Sequence, residues 1–292
     1  MPQFELKNNL LQVKINSFGA ELCSVKSKEN QLEYIWQADK TIWARYAPNL
    51  FPIVGKLKEG KYFYQGSEYQ LPQHGFARDH EFTCVKQSHH QLVFELKSNS
   101  EFKKVYPFDF IFQIEYTLND NVLDIAYHVS NSSSSEELLF SVGAHPAFNC
   151  PLSSTESFDD YELIFTDKNE LVINALSDGL ISSHTKQITL HENKLALSKD
   201  LFMNDALVFT NHQIDEVSLF SKKSKHGVKL TSVNWPYYGI WSKKDSEQFV
   251  CLEPWYGIAD YENTNSDLSQ KNGIIVLSPK QDFTCKFDIT FF

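Results

Sequence analysis

Apolar and polar residues alternate along most of this chain with a period of two. Phe108, Phe110, Phe112, Ile114, Tyr116 and Leu118 fall on one face. Asn119-Asp120-Asn121 supplies a turn, and Leu123, Ile125, Tyr127 and Val129 carry the alternation back. Side chains of an extended chain point to opposite faces in turn, so this pattern predicts a β-hairpin with one apolar side. Shorter runs of the same kind occur at 11–15, 22–25, 92–96, 161–165, 217–220, 228–230 and 274–277, and the alternating stretch from Phe283 to Phe291 closes the chain as a strand. Helical periodicity of useful length is absent. Its nearest approach, from Asp267 to Gly273, amounts to one or two turns with a glycine stop.

Many strands divided by Gly, Asn, Asp and Ser turns predict an all-β fold, a large antiparallel β-sandwich of two packed sheets. The serine run at 132–135 reads as a loop rather than a linker, because strand-like sequence resumes at Leu138. Neither a repeat of fixed period nor a break in composition divides the chain, so residues 1–292 are expected to form a single domain.

Composition sharpens this picture. Phe 23 and Tyr 13 against Met 2 favour strands, since aromatic rings suit a pleated, half-buried surface. Hydrophobic residues at 42% and charged residues at 22% fit a globular, water-soluble protein with a large core. A net charge of −10 argues against a nucleic-acid partner, which needs a basic face. The one basic cluster, Lys222-Lys223-Ser224-Lys225-His226-Gly227, lies between two strand-like runs and reads as a solvated hairpin tip. Cys23, Cys84, Cys150, Cys251 and Cys285 are odd in number, scattered and form no C-x-x-C pair, which points inside the cell. The N-terminus has neither a charged segment nor an apolar one of signal-peptide type, and no apolar run approaches the roughly 20 residues of a membrane span. The expectation is a cytoplasmic protein with no membrane partner.

Three segments hold an ionisable group between small, proline or aromatic neighbours: Pro72-Gln73-His74-Gly75-Phe76-Ala77-Arg78, Gly143-Ala144-His145-Pro146-Ala147-Phe148 and Cys251-Leu252-Glu253-Pro254-Trp255. A surface residue needs no such framing, whereas a site does. His74 and Arg78 can face one cavity, Arg78 offering a planar fork of donors to oxygen atoms; Arg78 can equally pair with Asp79 or Glu81. His145 is a natural proton donor near neutral pH, or a core histidine bonded to a carbonyl. Glu253 stands at the end of the strand-like run 248–252. An acid in such an apolar setting is costly unless paired or working, and desolvation raises its pKa toward that of a useful general base. Trp235, Tyr237, Tyr238, Trp241, Trp255 and Tyr256 surround this part of the chain; indole and phenol rings suit the C–H faces of a sugar, and equally suit a β-sheet core. Asp205, just before a strand-like run, is on its own a turn residue. His89-His90 and the other histidines show no local metal-ligand spacing, and neither a glycine-rich phosphate loop nor a G-x-S-x-G elbow occurs.

In their order along the chain these segments, with Phe51-Pro52-Ile53-Val54-Gly55-Lys56-Leu57 and Asn204-Asp205-Ala206-Leu207, resemble the aldose 1-epimerase (galactose mutarotase-like) family, and within it the LacX-type subgroup. The resemblance implies a β-supersandwich with a carbohydrate cleft and neither metal nor organic cofactor. It implies His145 as general acid, Glu253 as general base, His74 and Arg78 as contacts to substrate oxygens, Asp205 as the carboxylate that holds sugar hydroxyls, and Arg45 as a weaker substrate contact. The hexose-6-phosphate branch carries R-G-G-x-P before its F-P segment. This chain reads Arg45-Tyr46-Ala47-Pro48-Asn49, a departure that counts against a phosphorylated substrate. A non-catalytic sugar-binding module, and a glycoside-processing enzyme using Asp205 or Asp260 as a second carboxylate, are the other readings.

Overall fold

The computed structural model describes residues 2–292. Two large antiparallel sheets dominate it. The nine-stranded sheet runs from Lys194–Ala196 through Tyr161–Phe165, Glu216–Ser221, Gly227–Thr231, Asp282–Phe291, Val122–Asn131, Phe110–Asn119 and Gln91–Lys97 to Thr83–Gln87. The eight-stranded sheet runs from Leu180–Thr189 through Glu170–Ser177, Leu207–Phe209, Tyr237–Trp241 and Phe249–Tyr256 to Val142–Ala144 and Asn49–Leu50; Ala147–Asn149 also pairs with Phe249–Tyr256. A three-stranded sheet (Gln3–Lys7, Leu11–Asn16, Glu21–Ser27) and two two-stranded pairs complete the β-structure.

The hairpin expected from the alternating pattern is present. Asn119 pairs with Val122 across a tight turn in which Asp120 takes a positive φ of 49°. Phe110, Phe112, Ile114, Tyr116 and Leu118 are buried on one strand, and Leu123, Ile125, Tyr127 and Val129 on the other. Residues between them are only partly covered, so the outer face of this hairpin meets solvent. The basic cluster sits between Glu216–Ser221 and Gly227–Thr231, as a hairpin tip. Helical structure among the described residues is confined to six 3₁₀ turns, including Leu268–Gln270, where Asp267 accepts the Ser269 N–H at 2.9 Å. No helix there is long and apolar enough to cross a membrane. All five cysteines are free.

The strand Phe249–Tyr256 behaves differently from that hairpin, because all but its last residue is buried. Val250 and Leu252 join the main core, whereas Phe249 and Cys251 pack with Trp36 and Ala147 on the opposite face. Trp255 shares this second face and packs with Ile181, Val208, Ile258 and Ala259. Glu253 lies between Cys251 and Trp255 in the same period-two row, and so faces the same way. The strand does not stop at Leu252, as the sequence suggests, but runs through Pro254 to Tyr256. The neighbouring chain explains how. Leu252 N–H donates to Pro146 O at 3.2 Å, so the missing N–H of Pro254, two residues on, faces the same side, where Val142–Ala144 and Ala147–Asn149 are interrupted at His145-Pro146. A proline costs no ladder bond where the ladder is already broken.

Candidate active site

His145 occupies that interruption, and the break turns its side chain toward the row containing Glu253. His145 Nε2 lies 3.2 Å from Glu253 Oε2. Both residues are buried, yet His145 Nδ1 and Glu253 Oε2 have no hydrogen-bond partner, so the contact is close without being an aligned bond. Burial, and then the nearby charge of Asp205, pushes the Glu253 carboxyl well above the usual carboxylate range; the Trp255 indole opposes this. Burial also holds the His145 imidazole down at about 3, with the Arg78 charge adding to the effect. Burial thus disfavours the charged form of each group.

A cavity of about 510 Å³ opens above the pair, within the roughly 300–1,000 Å³ range of small-molecule sites. All six residues singled out from the sequence line it: Arg45, His74, Arg78, His145, Asp205 and Glu253. They come from separate parts of the chain: Glu253 from a strand and the other five from the loops and turns around it.

His74 is held by a reciprocal contact with Gly55. Its own N–H donates to Gly55 O at 2.8 Å, while Gly55 N–H donates to His74 Nδ1 at 3.1 Å. The second bond makes Nδ1 an acceptor and leaves the proton on Nε2, which lies 3.3 Å from the Gln73 side-chain amide at the cavity wall. Burial, reinforced by His145 and Arg78, keeps this imidazole neutral. Gly75 makes the loop possible: its φ is +71°, and a Cβ there would lie 2.3 Å from Phe51 O.

Arg78 donates through Nη2 to Gln73 O at 2.6 Å, and its Nε, 3.7 Å from Asp79, is buried without a hydrogen bond. Burial lowers its pKa to about 10, so it stays a cation near neutrality. Asp79 thus pairs with Arg78, as one sequence reading had it, and more closely with Arg45, with Nη2–Oδ1 at 2.9 Å. Asp205 is exposed at the cavity wall, with a positive φ of 78°, and its Oδ1 accepts the Ala206 N–H at 2.8 Å. Asp260, the other carboxylate considered, does not line the cavity; it is buried against Lys271.

The aromatic residues divide. Trp241 and Trp255 line the cavity, whereas Trp235 and Tyr238 are buried in the main core. A Cβ on Gly239, opposite Glu253, would come within 2.4 Å of the Trp255 ring, so only glycine lets that indole lie across the neighbouring strand. The sequence reading did not single out Trp43, whose ring stacks on His145 with centroids 5.1 Å apart and planes at 25°. It also passed over Gln73, Lys243 and an apolar wall of Leu176, Ile181, Val208, Ile258 and Ala259. Trp43 stands two residues before Arg45 in Trp43-Ala44-Arg45, the one local signal that could have found it.

A family model described as aldose 1-epimerase matches residues 2–265. The chain belongs to the aldose 1-epimerase family. It is 32% identical to the plasmid-encoded Protein LacX of Lactococcus lactis subsp. lactis over 294 aligned residues, covering 98% of each chain; the chromosomal LacX protein of that organism matches equally. Among solved structures, a galactose mutarotase related enzyme from Lactobacillus acidophilus superposes with a TM-score of 0.95 at 38% identity, covering 100% of this chain and 97% of that one. A galactose mutarotase-like protein from Lactobacillus casei ATCC 334 gives 0.93 at 30% identity, with both chains fully covered. The β-sandwich of this aldose 1-epimerase family member is thus that of the galactose mutarotase-like proteins, and its family is one of carbohydrate epimerases.

Proposed function

We propose that this protein is an aldose 1-epimerase that interconverts the α and β anomers of a free hexose, with Glu253 and His145 as its acid–base pair. The observation that carries this reading is the buried Nε2–Oε2 contact of 3.2 Å at the floor of an open cavity, with unpartnered polar atoms on both residues. A neutral carboxylic acid beside a neutral imidazole holds the same number of protons as a carboxylate beside an imidazolium. The two groups therefore share one mobile proton, and a sugar supplying hydrogen bonds to the charged forms draws it from Glu253 to His145.

Glu253 then removes the proton of the anomeric O1 hydroxyl while His145 protonates the ring oxygen O5. The C1–O5 bond opens to the aldehyde, the C1–C2 bond rotates, and closure on the other face returns both protons. Each proton-transfer partner contributes roughly 10²–10⁴-fold. His74 Nε2–H and the Arg78 guanidinium donate to sugar oxygens and stabilise the charge that develops on them. Asp205 holds hydroxyls so that the pair meets O1 and O5, with Arg45 at the same wall. Trp43 and Trp241 offer flat apolar faces to the pyranose C–H groups. Residues from Ile42 to Ala259 line this one cavity, which supports a single domain.

Arg45, Arg78 and Lys243 around one cavity favour a second reading, a hexose 6-phosphate as substrate. Anomer exchange followed by NMR over free and 6-phosphorylated aldoses tests both. Acceleration of a free hexose, insensitive to a chelator, supports the first reading, and acceleration of the phosphates alone supports the second. Saturable sugar binding without acceleration overturns both in favour of a binding module.

A further inference from the structure

Cys251 has no part in the chemistry above, yet it stands two residues before Glu253 on one strand and faces the same way. The Cys251 thiol, a His145 ring nitrogen and a Glu253 carboxylate oxygen all lie within 4.8 Å of one another, and all three residues are buried. Their backbones are fixed by the sheet: Ala147 pairs with Cys251 and Leu252 N–H is bonded to Pro146 O on one side of His145 and Glu253, and Gly143 pairs with Trp255 on the other. The cluster also contains buried polar atoms without partners, His145 Nδ1 and Glu253 Oε2.

We propose that His145, Cys251 and Glu253 form a site for Zn²⁺, and that its occupancy switches the protein off. One imidazole, one thiolate and one carboxylate are the donor types Zn²⁺ takes, and three protein ligands with a fourth position open is a common arrangement for it. Bond lengths of about 2.0–2.3 Å place neighbouring donors of a tetrahedral ion roughly 3.3–3.8 Å apart, so the set needs only about an ångström of side-chain adjustment. Binding displaces the thiol proton of Cys251 and the carboxyl proton of Glu253 to solvent, so one divalent cation replaces two protons and the buried centre stays neutral. His145 and Glu253 line the cavity, from which water or a sugar hydroxyl completes the coordination. Because the ion takes His145 and Glu253 together, it removes both proton-transfer partners at once. The inhibition rests on the proposed roles of those residues; the binding does not.

Co²⁺ serves as the spectroscopic probe and Zn²⁺ as the competitor, both added to the purified full chain. The wild type is expected to give a thiolate-to-Co²⁺ charge-transfer band that Zn²⁺ abolishes. Zn²⁺ should also slow anomer exchange at least tenfold, and a chelator should restore the rate. Cys251→Ala and Cys251→Ser should keep the metal-free rate, lose the band and raise the Zn²⁺ concentration for half-inhibition at least tenfold. Two substitutions guard against one that fails to fold, and the wild-type band is read without either. Absence of the band in the wild type, or equal Zn²⁺ sensitivity in the Cys251 variants, overturns the site. A wild-type band without anomer exchange activity upholds the site and refutes the epimerase reading.

Discussion

Two buried acid–base pairs lie close together in this protein, and they are built on opposite principles. Lys271 and Asp260 meet at 2.9 Å with side chains only 2% and 3% exposed. Lys271 Nζ also donates to Ile258 O, and Asp260 Oδ2 accepts the Lys58 N–H at 2.9 Å. The pair ties the segment bearing Ile258 and Ala259 to the one following Gly55, and so braces one cavity wall. Glu253 and His145 are also buried, but their close contact is unaligned and polar atoms on both are left without partners. One pair spends its valences on the backbone, while the other leaves two buried polar atoms without partners. Burial lowers the Lys271 pKa too, but there the Asp260 charge and hydrogen bond oppose it, whereas at the second pair burial acts on two groups left short of partners. Full satisfaction marks a brace, and incomplete satisfaction marks a working site.

The contrast breaks most visibly if activity and stability fail to separate. Glu253→Gln and His145→Asn should each slow anomer exchange by roughly 10²–10⁴-fold with the circular dichroism spectrum unchanged, as NMR exchange rates will show. Lys271→Met should do the reverse at the brace. It leaves the Asp260 charge buried and unpaired, at a cost of about 3–5 kcal/mol in urea unfolding.

A smaller effect sharpens the comparison through pH. The Glu253 pKa is raised on folding, so its contribution to stability is fully present below the unfolded value of about 4.3 and is lost as pH rises toward the folded value. Glu253→Gln should therefore gain stability relative to the wild type as pH rises above the unfolded value, measured as a widening difference in Tm. The smallest effect belongs to Asp205, whose charge helps to raise the Glu253 pKa. Asp205→Asn should move the limb of the kcat/KM profile that reports Glu253 to lower pH, separately from any change in KM.

The fold was legible because alternation is a local property. Leu123 to Val129 read as a strand from their own spacing, and Asp120 announced the turn. His145 and Glu253 were legible because proline and small or aromatic neighbours set them apart from surface charges. Trp43 and the wall formed by Leu176, Ile181 and Val208 were not, because a cavity lining made of apolar side chains has the same local sequence as a core. The strand through Pro254 was hidden for a different reason. Proline is tolerated there only because the neighbouring chain breaks at His145-Pro146, about a hundred residues earlier, and no window around Pro254 contains that fact. The nearness of Cys251 to His145 is another product of sheet register rather than of spacing.

The most direct test is the anomer exchange rate of the double variant Glu253→Gln/His145→Asn set beside the two single variants. Groups that share one proton act as a unit, so losing both should cost little more than losing either. A folded double variant that exchanges anomers at the wild-type rate would contradict the account.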